Sequence, residues 1–210
     1  MISVVIRNKN EERWIGHAIQ SCLDHFDNPE ILIVDNYSTD KSLEIVKEFC
    51  FSDIKILSIE DYTPGKALNY GSREAKYDNV LILSAHSQII KMDYEIIDSL
   101  LENNVAVFGK QIPLHRGRRI NKRYVWSHFI DEPCVDMWSD HENRHFLHNA
   151  FCFYRKETLL DYPFDEQLVS KEDRYWAANI VNNGLNYYYE PIVECYHHWT
   201  SNGATWKGIG

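Results

Sequence analysis

Val80-Leu81-Ile82-Leu83-Ser84-Ala85-His86-Ser87-Gln88 is an apolar run that breaks into small and polar residues around one histidine. A strand covered on both faces reads as a near-continuous apolar run, and open α/β sheets bind ligands beyond the carboxyl ends of such strands. His86 therefore stands where chemistry is usually done. Taken alone, it reads equally as a hydrogen-bonded structural histidine.

Outward from this strand the same grammar repeats. Ser3 to Ile6 and Ile31 to Val34 read as buried strands. Trp14, Ile15, Ala18, Ile19 and Cys22 fall at helical spacing, as do Leu43, Val46 and Cys50, with Ser38 or Thr39 as the expected helix cap. A strand at Ile54 to Ile59, a turn at Pro64-Gly65, a helix through Ala75, a helix from Tyr94 to Asn103 and a strand from Val105 to Ile112 follow. Strand and helix in alternation predict a mostly parallel sheet flanked by helices. From His115 to His148 the pattern fails, which predicts a long functional loop or lid. Order returns with a strand at Ala150 to Tyr154, a helix from Glu172 to Asn183, and strands at Tyr187 to Tyr189 and Ile192 to His197.

The 210 residues suffice for one core and predict a single domain, 44% hydrophobic and 25% charged. A net charge of −9 argues against nucleic acid as a partner. His115 to Arg123 is nevertheless strongly basic, which points to an anionic partner at one loop or to a solvated surface. Five cysteines without a CxxC pair fit reduced thiols and a cytoplasmic location. No apolar run reaches the ~18 residues of a membrane span, so membrane association is expected to be peripheral.

Asn8, Asn10 and Glu11 follow the first strand, Asp35 and Asn36 the second, and His86 a third, so a parallel sheet would gather them along one edge. Carboxylates accept from ribose hydroxyls and amides read a base edge, a set suited to a nucleoside. Asp35 to Asp40 also reads as an Asx turn with a helix cap.

Ser3-Val4-Val5-Ile6 with Asn10-Glu11, then Ile33-Val34-Asp35-Asn36-Tyr37-Ser38-Thr39-Asp40, then Gly65-Lys66-Ala67-Leu68-Asn69, resembles the nucleotide-binding half of the family 2 glycosyltransferases with the GT-A fold. The resemblance implies that residues 1–112 bind a nucleotide-sugar donor, with Glu11 and Asp35 on the nucleoside and Lys66 near the base or diphosphate. Residues 113–210 would form the acceptor and catalytic half. Where that family carries Asp-x-Asp for a divalent cation, this chain has Ser84-Ala85-His86. A similar Asp-x-His occurs in polypeptide GalNAc-transferases, where the histidine is a metal ligand. His86 is then the expected ligand and Ser84 a weak one, with Mn²⁺ better suited to imidazole than Mg²⁺.

Phe164-Asp165-Glu166 followed by Lys171-Glu172-Asp173 resembles the family's catalytic segment. It implies Asp173 as general base, with Glu172 beside it, in an inverting transfer to a saccharide or lipid-linked acceptor. Ser170-x-x-Asp173 also reads as a capping-box variant. Pro191 to His198 resembles the closing strand, whose alternation turns His197 inward as a second metal ligand or a structural histidine. Arg116 to Arg123 with Trp126, Phe129 and Trp138 is expected on the acceptor side. The resemblance suggests synthesis of cell-surface polysaccharide or glycolipid.

Two readings compete. A nucleotide-sugar binder without catalysis is motivated by the missing carboxylate at Ser84. A zinc metalloprotease is motivated by His141-Glu142-Asn143-Arg144-His145, an HExxH match. Arg144 inside that match and the weak apolar face from Asp136 to His148 oppose the protease.

Overall fold

The computed structural model describes residues 1–49 and 53–208. Four parallel strands, β1 (Ile2–Asn8), β2 (Glu30–Asp35), β3 (Ile54–Ser58) and β4 (Asn79–Ser84), lie in the order β3-β2-β1-β4. They are connected through α1 (Ile15–His25), α2 (Ser42–Lys47) and α3 (Pro64–Glu74). The chain continues through β5 (Ser87–Lys91), α4 (Tyr94–Leu101), β6 (Ala106–His115) and β7 (Arg118–Arg119). Three short strands, β8 (Cys134–Val135), β9 (Trp138–Ser139) and β10 (Arg144–His145), precede β11 (Phe151–Arg155), α5 (Lys156–Asp161), α6 (Glu172–Asn182) and β12 (Tyr187–His198).

The full order is β3-β2-β1-β4-β11-β6-β12-β5. β11 runs antiparallel to both β4 and β6, while β6 and β12 are parallel. Two reversals in succession turn β6 and β12 back to the direction of β1 and β4. The carboxyl ends of β1, β2, β4 and β12 therefore share one edge of the sheet, and Asn8, Asp35, Ser84 and His197 meet there although far apart in sequence.

Alternation along each strand feeds two cores. Val5, Leu32, Val34, Val80 and Ile82 pack on one face against Ala67 and Leu68 of α3 and Trp176, Ala177 and Ile180 of α6. Val4, Ile6, Ile31, Ile33, Leu81 and Leu83 pack on the other against Ile15, Ala18, Ile19 and Cys22 of α1. A period of two on a pleated strand produces this division. Gly71 lets α3 lie directly on β1, because a Cβ there would overlap the Val5 side chain.

Several local expectations are corrected. Pro64-Gly65 opens α3 rather than forming a separate turn: Thr63 Oγ1 accepts from Lys66 N at 3.2 Å, and proline is tolerated at the first helical position. Neither Ser38 nor Thr39 caps α2, which starts three or more residues later without a side-chain cap, because the Ser38 hydroxyl donates to Asp35 Oδ1 at 2.6 Å. The two closing strands are one, β12, with a register shift between Glu190 and Glu194. The Val80 strand, β4, stops at Ser84 before His86 as expected, but a strand not foreseen, β5, starts at Ser87. Cys50 lies outside the described residues, and the other four cysteines are free thiols.

The segment from His115 to His148 is not a free lid. Val125, Trp126, Phe129, Met137, Phe146 and Leu147 are buried in the core beside α6. Trp126 and Phe129 are thus unavailable to an acceptor, whereas Trp138 is half exposed. The HExxH match lies at the β9–β10 hairpin instead of on a helix, so its histidines do not share a helical face. Glu142 is engaged by Lys171 at 2.9 Å, and no cluster of three metal-binding side chains occurs among the described residues. That geometry removes the metalloprotease reading.

Candidate active site

The shared edge opens into a cavity of about 600 Å³. Among the residues expected from sequence, Glu11, Ser84, His86, Glu172, Asp173 and His197 line it. Asn10, Asp35, Asn36 and Lys66 do not. Asp35 is buried and saturated locally: Oδ1 accepts from Asn8 Nδ2 at 2.8 Å and Ser38 Oγ at 2.6 Å, while Oδ2 accepts from Ser38 N at 2.9 Å. It holds Asn8, which lines the cavity and whose own Oδ1 is buried without a partner. Asn10 takes a positive φ of 53° and accepts from Thr39 N at 2.7 Å, and Asn36 O accepts from Lys9 Nζ at 2.6 Å. Among the described residues Lys66 Nζ donates to Asp61 O, at 3.4 Å.

The Gly65-to-Asn69 and Phe164-to-Glu166 segments, separate in sequence, form one joint. Asn69 donates to Phe164 O and accepts from Phe164 N, both at 2.9 Å, and also donates to Glu166 Oε1 at 2.9 Å. Gly65 is required where the start of α3 passes against the Asp165 carbonyl, since a Cβ would collide with it. This joint fixes the chain a few residues before α6.

At the cavity floor, His86 Nε2 and His197 Nε2 face each other at 3.1 Å. His197 is buried, and its Nδ1 is 2.9 Å from Gln111 Oε1. Gln111 Nε2 donates to His148 O at 3.3 Å, so the amide's oxygen is left to accept from His197 Nδ1–H. His86 Nδ1 lies 3.3 Å from Glu11 Oε1 but makes no hydrogen bond to it, while Glu11 Oε1 accepts from Thr200 Oγ1 at 3.1 Å. With its proton on Nδ1, His197 accepts through Nε2, and His86 donates its Nε2–H across the 3.1 Å contact, leaving His86 Nδ1 buried without a hydrogen-bond partner. A cation held by both rings would take the place of that proton. Burial, with the nearby His86 and His148, pushes the His197 imidazolium well below its ordinary range.

Two nitrogens about 2.1 Å from one ion and at right angles are about 3 Å apart, which the histidine pair matches. An outer hydrogen-bonded partner orients a histidine ligand, and His197 has one in Gln111. The pair could supply two nitrogens to a cation, and among the described residues no third His, Cys, Asp or Glu joins them in a metal-binding group.

Opposite stands the start of α6. Lys171 enters with φ of 62° and no side-chain cap, so the capping-box reading of Ser170 fails. Asp173 accepts from Asn149 N at 3.1 Å and Arg174 Nη1 at 2.7 Å through Oδ2, and from Arg174 N at 2.9 Å through Oδ1. Arg174 is itself pinned by Leu147 O at 2.6 Å and stacks 4.1 Å over Phe146. Burial raises the Asp173 carboxyl above its ordinary value against the opposing pull of Arg174, and the Glu172 charge adds to the rise. Glu172 pairs with Arg7 at 2.9 Å.

Arg7, Lys9, Arg123, Lys171 and Lys207 also line the cavity, an accumulation of cations in an acidic chain. Sequence reasoning missed Arg7, Gln111, His148 and Asn149 as cavity or supporting residues. Asn149 Nδ2 is buried without a partner, as Asn8 Oδ1 is, on two residues that line the cavity. Arg7 carried a signal, a cation within two residues of a buried strand's carboxyl end; Gln111 carried none.

A mixed sheet with helices on both faces and a polar cavity at its carboxyl edge defines an α/β protein with its ligand site where open sheets of this kind bind ligands. The family model for glycosyl transferase family 2 matches residues 3–162, and the chain belongs to that family. It is 36% identical to a Methanococcus voltae dolichyl N-acetyl-alpha-D-glucosaminyl phosphate 3-beta-D-2,3-diacetamido-2,3-dideoxy-beta-D-glucuronosyltransferase, over 93% of this chain and 66% of that protein. It is 24% identical to the Staphylococcus aureus poly(ribitol-phosphate) beta-N-acetylglucosaminyltransferase TarS, over 86% of this chain and 32% of that protein. The chain thus spans under two-thirds of the length of either relative. The structure of TarS residues 1–349 with UDP-GlcNAc matches with a TM-score of 0.74 at 19% identity, over 100% of this chain and 61% of that one. GalNAc-T7 with UDP, GalNAc and Mn²⁺ matches at 0.73 and 16% identity, over 97% and 44%. These likenesses establish a GT-A fold.

Proposed function

We propose that the protein moves a sugar from a nucleotide-sugar donor to a saccharide or lipid-linked acceptor with inversion at the anomeric carbon. The observation that carries this reading is the placement of Asp173 and the His86–His197 pair around one cavity. Asp173 Oδ atoms, desolvated and raised in basicity, take the proton from an acceptor hydroxyl as its oxygen attacks the anomeric carbon and the nucleoside diphosphate leaves from the opposite face. Arg7, Arg123 and Lys207 offset the charge that develops on the leaving diphosphate. Asn8 Oδ1 and Asn149 Nδ2 provide the acceptor and donor that a ligand's hydroxyl and oxygen groups complete.

His86 and His197 would hold a divalent cation, with Mn²⁺ favoured over Mg²⁺ by the two imidazoles and Ser84 at most a weak neighbour. Such a cation supplies Lewis-acid neutralisation of the diphosphate. The donor sugar nucleotide is proposed as a uridine diphosphate, by analogy with the ligand named for TarS. A phosphate-linked lipid or polyol acceptor follows from the names of the two curated relatives. Asn10, Asp35, Asn36 and Lys66 are assigned to the rim and its support, on the nucleoside side of the cavity.

We assign residues 1–112 to donor binding and 113–210 to acceptor binding and catalysis within one domain. Among the described residues no helix is long and apolar enough to cross a membrane. A cytoplasmic position, peripheral to the membrane where a lipid-linked acceptor lies, is part of this proposal.

The test is a thermal-shift panel of UDP, GDP, dTDP and CMP sugars with and without Mn²⁺, followed by turnover of the stabilising donor. Stabilisation by a UDP sugar, enhanced by Mn²⁺, with turnover lost in Asp173→Asn, is the expected result. Donor binding without turnover in the wild type would instead establish the non-catalytic binder.

A further inference from the structure

The basic run from His115 to Arg123 is not absorbed by the donor cavity, which takes only Arg123 from it. β6 and β7 are joined by Arg116 and Gly117, with φ of 52° and 74°. Two central residues with positive φ make the tight hairpin turn that matches strand twist. It leaves Arg116, Arg118 and Arg119 exposed on a fixed ridge, anchored where Trp199 N donates to Leu114 O at 2.7 Å.

Beside the ridge lies a second cavity of about 190 Å³, walled by Arg13, Trp14, Arg116, His198 and Trp199 among others. Alternation along β12 sends His197 to the donor cavity and His198 to this one, so two cavities flank one strand end. The floor is preorganised. Trp14 stacks on His198 at 4.0 Å with 9° between the planes, and its Nε1 donates to Trp199 O at 3.0 Å.

Arg13 lies over Trp14, 4.8 Å from the ring centroid. A guanidinium packed through its face keeps its N–H edges for an oxyanion. Among the described residues, no carboxylate lies within 4.0 Å of Arg13, Arg116, Arg118 or Arg119. In a chain of net charge −9, unpaired arginines at a concave site make a local anion attractor. The volume is below the roughly 300–1,000 Å³ of small-molecule sites, which suits a head group rather than a nucleotide.

We propose that this second cavity binds the phosphate ester of an anionic carrier, with Arg13 and Arg116 on the phosphate oxygens and the Trp14–His198 stack beneath. The site stands independently of the transfer reading, because it requires nothing of Asp173 or of the histidine pair.

The test compares two double variants that each remove two positive charges. R13Q/R116Q alters the cavity, and R118Q/R119Q alters the ridge outside it. Binding of glycerol phosphate is followed by titration calorimetry, and binding to phosphatidylglycerol vesicles by co-sedimentation against neutral phosphatidylcholine. Wild-type protein is expected to bind one of the phosphate probes. R13Q/R116Q weakens that binding about fivefold for each arginine removed, and R118Q/R119Q does so much less. R13K/R116K restores part of the loss. Binding of glycerol phosphate identifies a soluble ester, and binding to the anionic vesicles alone identifies a bilayer head group. Failure of both probes, or equal weakening by the two double variants, overturns the proposal. An unchanged melting temperature and UDP affinity in each variant shows that the fold and the donor cavity are intact.

Discussion

His86 and His197 point their Nε2 atoms at each other across 3.1 Å, although 111 residues separate them in the chain. Gln111 holds the other nitrogen of His197 at 2.9 Å, while His86 Nδ1 lies 3.3 Å from Glu11 without a hydrogen bond, so the contact is held from behind on the His197 side. Gln111→Leu keeps the volume but removes the acceptor that fixes the His197 tautomer. Mn²⁺ affinity, measured by titration in the presence of UDP, should fall by about 10–100-fold. Unchanged affinity would show that Gln111 does not orient His197.

Asp173→Asn removes the proton acceptor while leaving an oxygen for the Asn149 and Arg174 donors. Turnover is expected to fall by about 10²–10⁴-fold, with the donor dissociation constant within a factor of a few. Single-turnover rates with calorimetric donor binding separate the two quantities. Residual turnover near the wild-type level would relieve Asp173 of the role of base.

The pH profile gives an independent reading of the same residue. The Asp173 carboxyl is raised, so its ionised form, the active base, is lost as pH falls through a value above the ordinary 3.8. The acidic limb of kcat should therefore lie above that value. Glu172→Gln removes a like charge that raises Asp173 and frees Arg7, and both changes favour the carboxylate. Its limb should move to lower pH; movement upward would contradict the assigned coupling.

Asn69→Ala breaks the joint that holds Phe164 to Glu166. It strands the buried Phe164 N–H and C=O, for an expected loss of about 2–4 kcal/mol in denaturant unfolding. Gly71→Ala acts on another contact of α3, forcing the helix off Val5, for about 1–3 kcal/mol. Only Asn69→Ala should also lower activity, because its segment leads into α6. Equal effects on activity would remove the positional role given to that joint.

The apolar strands and helical spacing made the α/β frame legible, because burial on both faces of a central strand leaves few polar positions. The Ser3 and Ile31 strands, the Val80 strand and the Glu172 helix are found within a residue or two of where periodicity puts them. Strand direction was not legible, since an apolar run reads the same both ways; β11 is antiparallel to both neighbours. Turn residues were ambiguous for a similar reason. Ser38 can bond forward to a helix or back to a carboxylate, and it bonds back to Asp35.

The sequence by itself determined the kind of sheet, the family and the residues at strand ends and helix starts that reach the cavity, Glu11, His86, Glu172, Asp173 and His197. Those features depend on periodicity and local chemistry, which are written along the chain. Only the tertiary structure decided that Asp35 is consumed by its own turn and by Asn8 of β1, that Trp126 and Phe129 belong to the core, and that Gln111, Asn149 and Arg174 set the site. Such roles depend on which segments meet through space, and a single side chain carries no mark of the partner it finds across more than a hundred residues.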